Sequence, residues 1–198
     1  MCVSVHLVIP ALWPSGKTVA RRLGDVIALA TAAFAKLVKI WKSSISFKAK
    51  HKLFRSLVSS TLTYVCEKWT LLADRDRRIQ AFENKCLRKL LRISYKDHVT
   101  NESVRELVVA YVDPQEPLLA TVKRRKLAWF GHVTRHDSLS KTILQGAVEG
   151  KRRRGRQKKA WCDNIKEWTG MAMCELVRSA SDRDAWRQKT DSSGLRSP

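Results

Sequence analysis

Pro117-Leu-Leu-Ala-Thr-Val-Lys-Arg-Arg-Lys-Leu-Ala-Trp-Phe-Gly-His-Val-Thr-Arg135 is the stretch on which the fold turns. Leu119, Val122, Leu127, Phe130 and Val133 fall on one side of an α-helix, while proline suits a first turn because its missing N–H has no partner there anyway. Such a helix must bury its stripe against other elements. Outward from it, the neighbouring segments read the same way. Upstream, Asp113-Pro-Gln-Glu-Pro117 is a break, and Thr100 can cap a helix bearing Val104, Leu107, Val108 and Tyr111. Residues 74–92 form another helix, with Ile79, Phe82, Cys86, Leu87 and Leu90 on its buried face and Arg75, Arg78, Lys85, Arg88, Lys89 and Arg92 on a solvated one. A helix follows Ser46 with Phe54, Leu57, Val58, Leu62 and Val65, and one over residues 25–41 starts at Asp25 as cap. Downstream, helical signals return at Trp161, Ile165, Trp168, Leu176, Val177 and Trp186, the tryptophans on apolar faces. The one strand candidate, at residues 62–65, is covered by helix periodicity. The expected fold is mostly α, a small helical bundle followed by a basic loop and short C-terminal helices.

The 198 residues carry 39 Lys and Arg against 18 Asp and Glu, a net charge of +21. With 44% hydrophobic residues and seven Trp, the chain can build a core, which excludes a disordered polycation. A pI near 10.3 calls for a polyanionic partner. Residues 121–160 hold 13 basic residues against Asp137 and Glu149, so +11 of the charge sits in 40 positions.

Several chemistries fail at the level of residue type. Gly16-Lys17-Thr18 ends like a phosphate-binding loop, but Ala11 stands where the first glycine is needed and Pro14 removes a backbone donor. His132 and His136 have the spacing of helical zinc ligands, yet Val133 replaces the glutamate of the protease motif and Gly131 is expected to loosen the helix. No metal site is expected. No Gly-x-Ser-x-Gly occurs, and Cys66 and Cys86 lie in helical patterns where thiols are inert. No catalytic residue is therefore assigned. The five cysteines, with no C-x-x-C pair, read as reduced thiols of an intracellular protein. No apolar run approaches 18 residues, so no membrane span or membrane partner is expected.

Two constellations remain. Lys123, Arg124, Arg125 and Lys126 interleave with Trp129 and Phe130; cations track phosphates and flat rings stack on bases. Phe130 belongs to the core stripe, which leaves Trp129 as the stacking candidate. The second is the run at residues 151–159, where Lys151, Arg152, Arg153, Arg154, Arg156, Lys158 and Lys159 are too dense in charge to pack. It reads as a flexible loop that phosphate would neutralise; the alternative is a solvated surface loop or a nuclear-import signal, and the two functions can coexist.

Three blocks carry a resemblance: Ile79-Gln-Ala-Phe-Glu-Asn-Lys-Cys-Leu-Arg-Lys-Leu-Leu-Arg-Ile-Ser-Tyr95, the segment from Pro114 to Asp137 that contains the opening stretch, and Lys151-Arg-Arg-Arg-Gly-Arg-Gln-Lys-Lys-Ala-Trp161 with Asp163-Asn-Ile-Lys-Glu-Trp168. Together they resemble the C-terminal, thumb and post-thumb part of LINE-type (non-LTR) retrotransposon polyproteins, downstream of the reverse-transcriptase palm. The resemblance implies an unmatched, poorly ordered segment at 1–25, a helical thumb-like region at 26–112, a basic C-terminal region at 113–189 and a frayed tail at 190–198. The intact family enzyme would use magnesium held by paired aspartates. This sequence contains no Asp-Asp pair, so it is expected not to polymerise DNA and to need no cofactor. Its expected role is non-catalytic, low-specificity binding of RNA or DNA through phosphates in the nucleus, by Lys123, Arg124, Arg125, Lys126, Arg152, Arg153, Arg154, Arg156, Lys158 and Lys159. The alternative is a relic of a mobile element with no binding role. Without palm contacts, apolar patches around Phe34, Trp41 and Tyr64 would then lie exposed.

Overall fold

Ile79, Phe82, Cys86, Leu87 and Leu90 are all buried along one face of α5 (Ala73–Leu91), as their spacing predicts. A computed structural model describes residues 16–145 and 159–192 of the chain, and among them every regular element is helical. Before α5 come α1 (Gly16–Lys36), α2 (Val38–Lys42), α3 (Phe47–Leu53) and α4 (Ser60–Thr63). After it come α6 (Asn101–Tyr111), α7 (Leu118–Arg135), α8 (Leu139–Gln145), α9 (Trp161–Thr169), α10 (Met173–Ser181) and α11 (Arg183–Ser192). The mostly α expectation holds. No helix among the described residues is long and apolar enough to cross a membrane.

Local chemistry explains most of the boundaries. Ser46 Oγ accepts from Ala49 N–H at the start of α3, and Thr100 Oγ1 from Ser103 N–H at the start of α6. Asp25 is not a cap: α1 begins at Gly16 and runs through it, and Leu23 already lies in the core. The helix thus crosses the boundary drawn at residue 25. Between α3 and α4 the chain makes a wider π turn at Phe54–Ser59. This turn carries more residues than an α turn, so Phe54, Val58 and Leu62, four apart, line the interior while Leu57 turns outward. Val65 leaves the predicted face because its backbone is left-handed, with φ of 57°.

Two apolar clusters form. The first joins α1 to α6 and the start of α7, from Leu23 through Val122. The second gathers Leu127 and Phe130 with Trp161, Ile165, Leu176 and Trp186. The change of core falls inside α7, between Val122 and Leu127. Each fully buried large apolar side chain contributes about 1.5–3 kcal/mol. Phe34 and Trp41 are 5% and 4% exposed and stack at 5.0 Å, which corrects the expectation of an open patch there. Tyr64, 75% exposed, keeps that expectation.

Basic side chains do structural work in this fold. Arg75, expected on the solvated face of α5, is buried, and its Nη1 donates to Thr70 O. Lys50, also buried, donates to Trp41 O at 3.0 Å and Ser43 O at 2.7 Å. Arg92 Nη2 donates to Lys42 O at 2.7 Å. The carbonyls ending α2, which have no intrahelical partner, are thus met by cations, the sign that a helix C-terminus favours.

Candidate nucleic-acid interface

Four consecutive cations on α7 point in four directions, because a helix turns about 100° per residue. Lys123 Nζ lies 5.5 Å from the ring centre of Trp168. Arg124 makes a forked pair with Glu116, at 3.0–3.2 Å, and this carboxylate raises the guanidinium's already high pKa. Arg125 is exposed but reaches back to donate to Thr63 O at 3.1 Å.

Lys126 overturns its assignment as a phosphate contact. It has no exposed surface. Its Nζ donates to Trp69 O at 2.8 Å and Asn164 Oδ1 at 2.7 Å, and stands 4.4 Å from the ring centre of Trp161. The same Asn164 closes two bonds with the backbone of Leu71: its Oδ1 accepts from the N–H at 2.8 Å, and its Nδ2 donates to the carbonyl at 2.7 Å. Trp161 Nε1 adds a bond to Glu67 O at 2.8 Å. Lys126 therefore fastens α7 to α9 and to the 66–71 turn. Burial drives its ammonium down to about 6, against the pull of Asp76 and Asp163. A neutral amine has two N–H donors, and both find an acceptor.

Trp129 is half-buried, its ring edge-on to Trp161 at 5.1 Å. Phe130 is fully buried, as expected. Lys159 pairs with Glu167. Arg152, Arg153, Arg154, Arg156 and Lys158 lie outside the described residues. The structure thus brings Lys123, Lys126 and Lys159 to one side, around Asp76, whose carboxyl is raised by burial and lowered in turn by these three lysines. It does not gather the four α7 cations into one patch.

A different group of cations does converge. α11 runs antiparallel to α7: Asp191 lies by Arg124 at one end and Arg183 by His132 at the other. The open cleft between the two helices, of about 580 Å³, is lined by Arg124, Arg135, Arg183 and Arg187, with His132 and His136 on its α7 side. Gly131 makes the close approach possible. A Cβ there would sit 2.5 Å from Trp186 Cδ1 and Nε1, and Trp186 Nε1 donates to Leu127 O at 3.0 Å. Gly131 does not loosen the helix, because α7 is continuous across it; its place is explained by the indole lying on it. Arg183 and Arg187 escaped the sequence reading, although a four-residue spacing places them on one helical face. Nothing local shows that this face meets α7.

The fold and this surface define a basic, mostly α-helical protein whose cations are divided between structure and solvent. The chain is similar to an uncharacterized protein of Caenorhabditis elegans whose name describes it as transposon-derived, with 30% identity over 166 residues, 79% of this chain and 59% of that protein. The similarity supports a transposon origin. The chain thus spans less than two thirds of the relative's length. No family model matches the chain. No solved structure matches it either.

Proposed function

We propose that this chain is a piece of a LINE-type reverse-transcriptase polyprotein that holds RNA or DNA through phosphate contacts, with low sequence specificity and no polymerase chemistry of its own. The observation that supports it most is charge that folding leaves uncompensated. Even complete pairing of the 18 acids would leave 21 cations over, and among the described residues the ion pairs with carboxylates engage Arg78, Arg124, Lys141, Lys159 and Lys166. Such a surface repels itself until it meets a polyanion, whose condensed counterions are then released to solvent. Phosphate contacts of this kind position a strand without reading its bases. The three blocks resembling the thumb and post-thumb region support the same partner, and the transposon-derived relative is consistent with an origin in a mobile element.

The experiment is binding of the whole chain to labelled single-stranded RNA and to duplex DNA across a salt series. Log affinity is expected to fall linearly with log salt, by about 0.7–0.9 per phosphate contact. A parallel sample with the seven cations of residues 151–159 changed to Ala reports what that run contributes. Negligible affinity at physiological salt overturns the proposal and leaves a relic without a binding role. Nuclear residence belongs to the same reading, through the 151–159 run.

A further inference from the structure

The α7–α11 cleft carries more than surplus charge. At the C-terminal end of α7, His132 in the last turn and His136 just past it are both exposed, with ring centres 4.7 Å apart. On its α11 wall Arg183 and Arg187, also exposed, are one turn apart. All four side chains line the cleft. Trp186, bound to Leu127 O, lines it too. Arg135 stands beside the histidines with its Nη1 on Ala180 O at 2.9 Å.

The acids near this cleft are occupied or lie at its other end. Asp191 and Glu116 serve Arg124. Asp182 Oδ1 accepts from Asp184 and Ala185 N–H at the start of α11. Asp137, next to His136, is paired with Lys141 of α8, and Asp184 does not line the cleft. Asp191 is the carboxylate among the residues lining the cleft, and it lies at the Arg124 end; the histidine end faces Arg135, Arg183 and Arg187.

We infer that this cleft seats the phosphodiester backbone of a nucleic-acid strand, Arg183 and Arg187 holding phosphate while His132 takes up a proton as it binds. The inference rests on the nucleic-acid reading above and gives it a place and a pH dependence. In the free protein, burial and then His136, Arg135 and Arg183 hold the His132 imidazolium below its ordinary range. A phosphate in the cleft reverses the sign of the local field, and an anion favours the charged imidazole. Protons bound on association mean affinity that rises as pH falls through the bound-state pKa. A lipid surface would be met by exposed apolar side chains, and none of the exposed large apolar residues lines this cleft.

The test is fluorescence anisotropy of a labelled single-stranded oligonucleotide with the whole chain, from about pH 7.5 to about pH 5.5, in a salt series at each pH. Wild-type affinity is expected to rise about tenfold or more across that window, since each linked proton can supply up to about tenfold per pH unit. His132→Gln removes most of the rise. Arg183→Gln with Arg187→Gln lowers the salt slope by about 1.4, two contacts at about 0.7 each on single strands. Lys39→Gln with Lys48→Gln, exposed cations of α2 and α3, removes the same net charge elsewhere. Imidazole proton NMR on the wild type gives a second measure: the His132 pKa rises when the oligonucleotide is added. A pH rise that survives in the histidine variant overturns the inference, as does a slope loss matched by the lysine control. In either case wild-type binding still stands and so does the broader reading. No wild-type binding to the oligonucleotide overturns both, and equal pH-dependent binding to anionic vesicles assigns the cleft to a membrane instead.

Discussion

Lys126 shows how a single residue can have the right chemistry for one role and the position for another. Its ordinary pKa is 10.5, and burial brings it to about 6 in the native state. Between those values the unfolded chain holds a proton that the folded chain does not, so native stability rises with pH across the window. The slope is at most about 1.4 kcal/mol per pH unit. Urea midpoints at about pH 6.5 and about pH 8 are expected to increase for the wild type, and the increase to vanish in Lys126→Met. Cys66, pushed up to about 11, and Cys86, to about 12, act in the opposite sense once free thiols ionise, which is why the comparison stays at or below about pH 8. Parallel profiles for wild type and variant would show that Lys126 stays charged in its pocket. Sequence could not separate it from Lys123 or Arg125, since burial is decided by α9, 38 residues away at Asn164.

At the scale of the element, α7 carries the argument, and its start is instructive. Pro117 has extended geometry with ψ of 150° and stands just before the helix rather than in its first turn. The first free amide, Leu118 N–H, is met by Glu83 Oε1 of α5 at 3.0 Å. Burial raises the Glu83 carboxyl above its ordinary value even though the Leu118 bond favours its charge. Glu83→Ala should cost about 1–2 kcal/mol in chemical denaturation, and Glu83→Gln, which keeps an acceptor, less. Equal losses would mean that the bond contributes little. The helix itself was legible, because Leu119, Val122, Leu127, Phe130 and Val133 are all buried as their spacing requires. Its cap was not, since the acceptor comes from another helix. The π turn at Phe54–Ser59 was hidden for a related reason: the buried row of Phe54, Val58 and Leu62 fits an α-helical pattern almost as well.

For the whole molecule, α7 belongs to both apolar clusters, through Leu118, Leu119 and Val122 on one side and Leu127 and Phe130 on the other. Lys126 and Asn164 bind the two together at their boundary. One cooperative transition is therefore expected, with far-UV circular dichroism and tryptophan fluorescence coinciding through thermal or urea unfolding. Two separated transitions would show that the clusters unfold independently. The helical class, most buried faces, the cap at Thr100 and a helix beginning after Ser46 were readable from the order of residues, because periodicity and capping are local properties. Net charge was readable too, and no packing can alter it. Which cations are spent on carbonyls and buried amides, and which reach solvent, was settled by long-range packing. That division depends on partners far along the chain: Thr63 for Arg125, Trp69 and Asn164 for Lys126, and α11 for the face of α7 that bears His132 and His136.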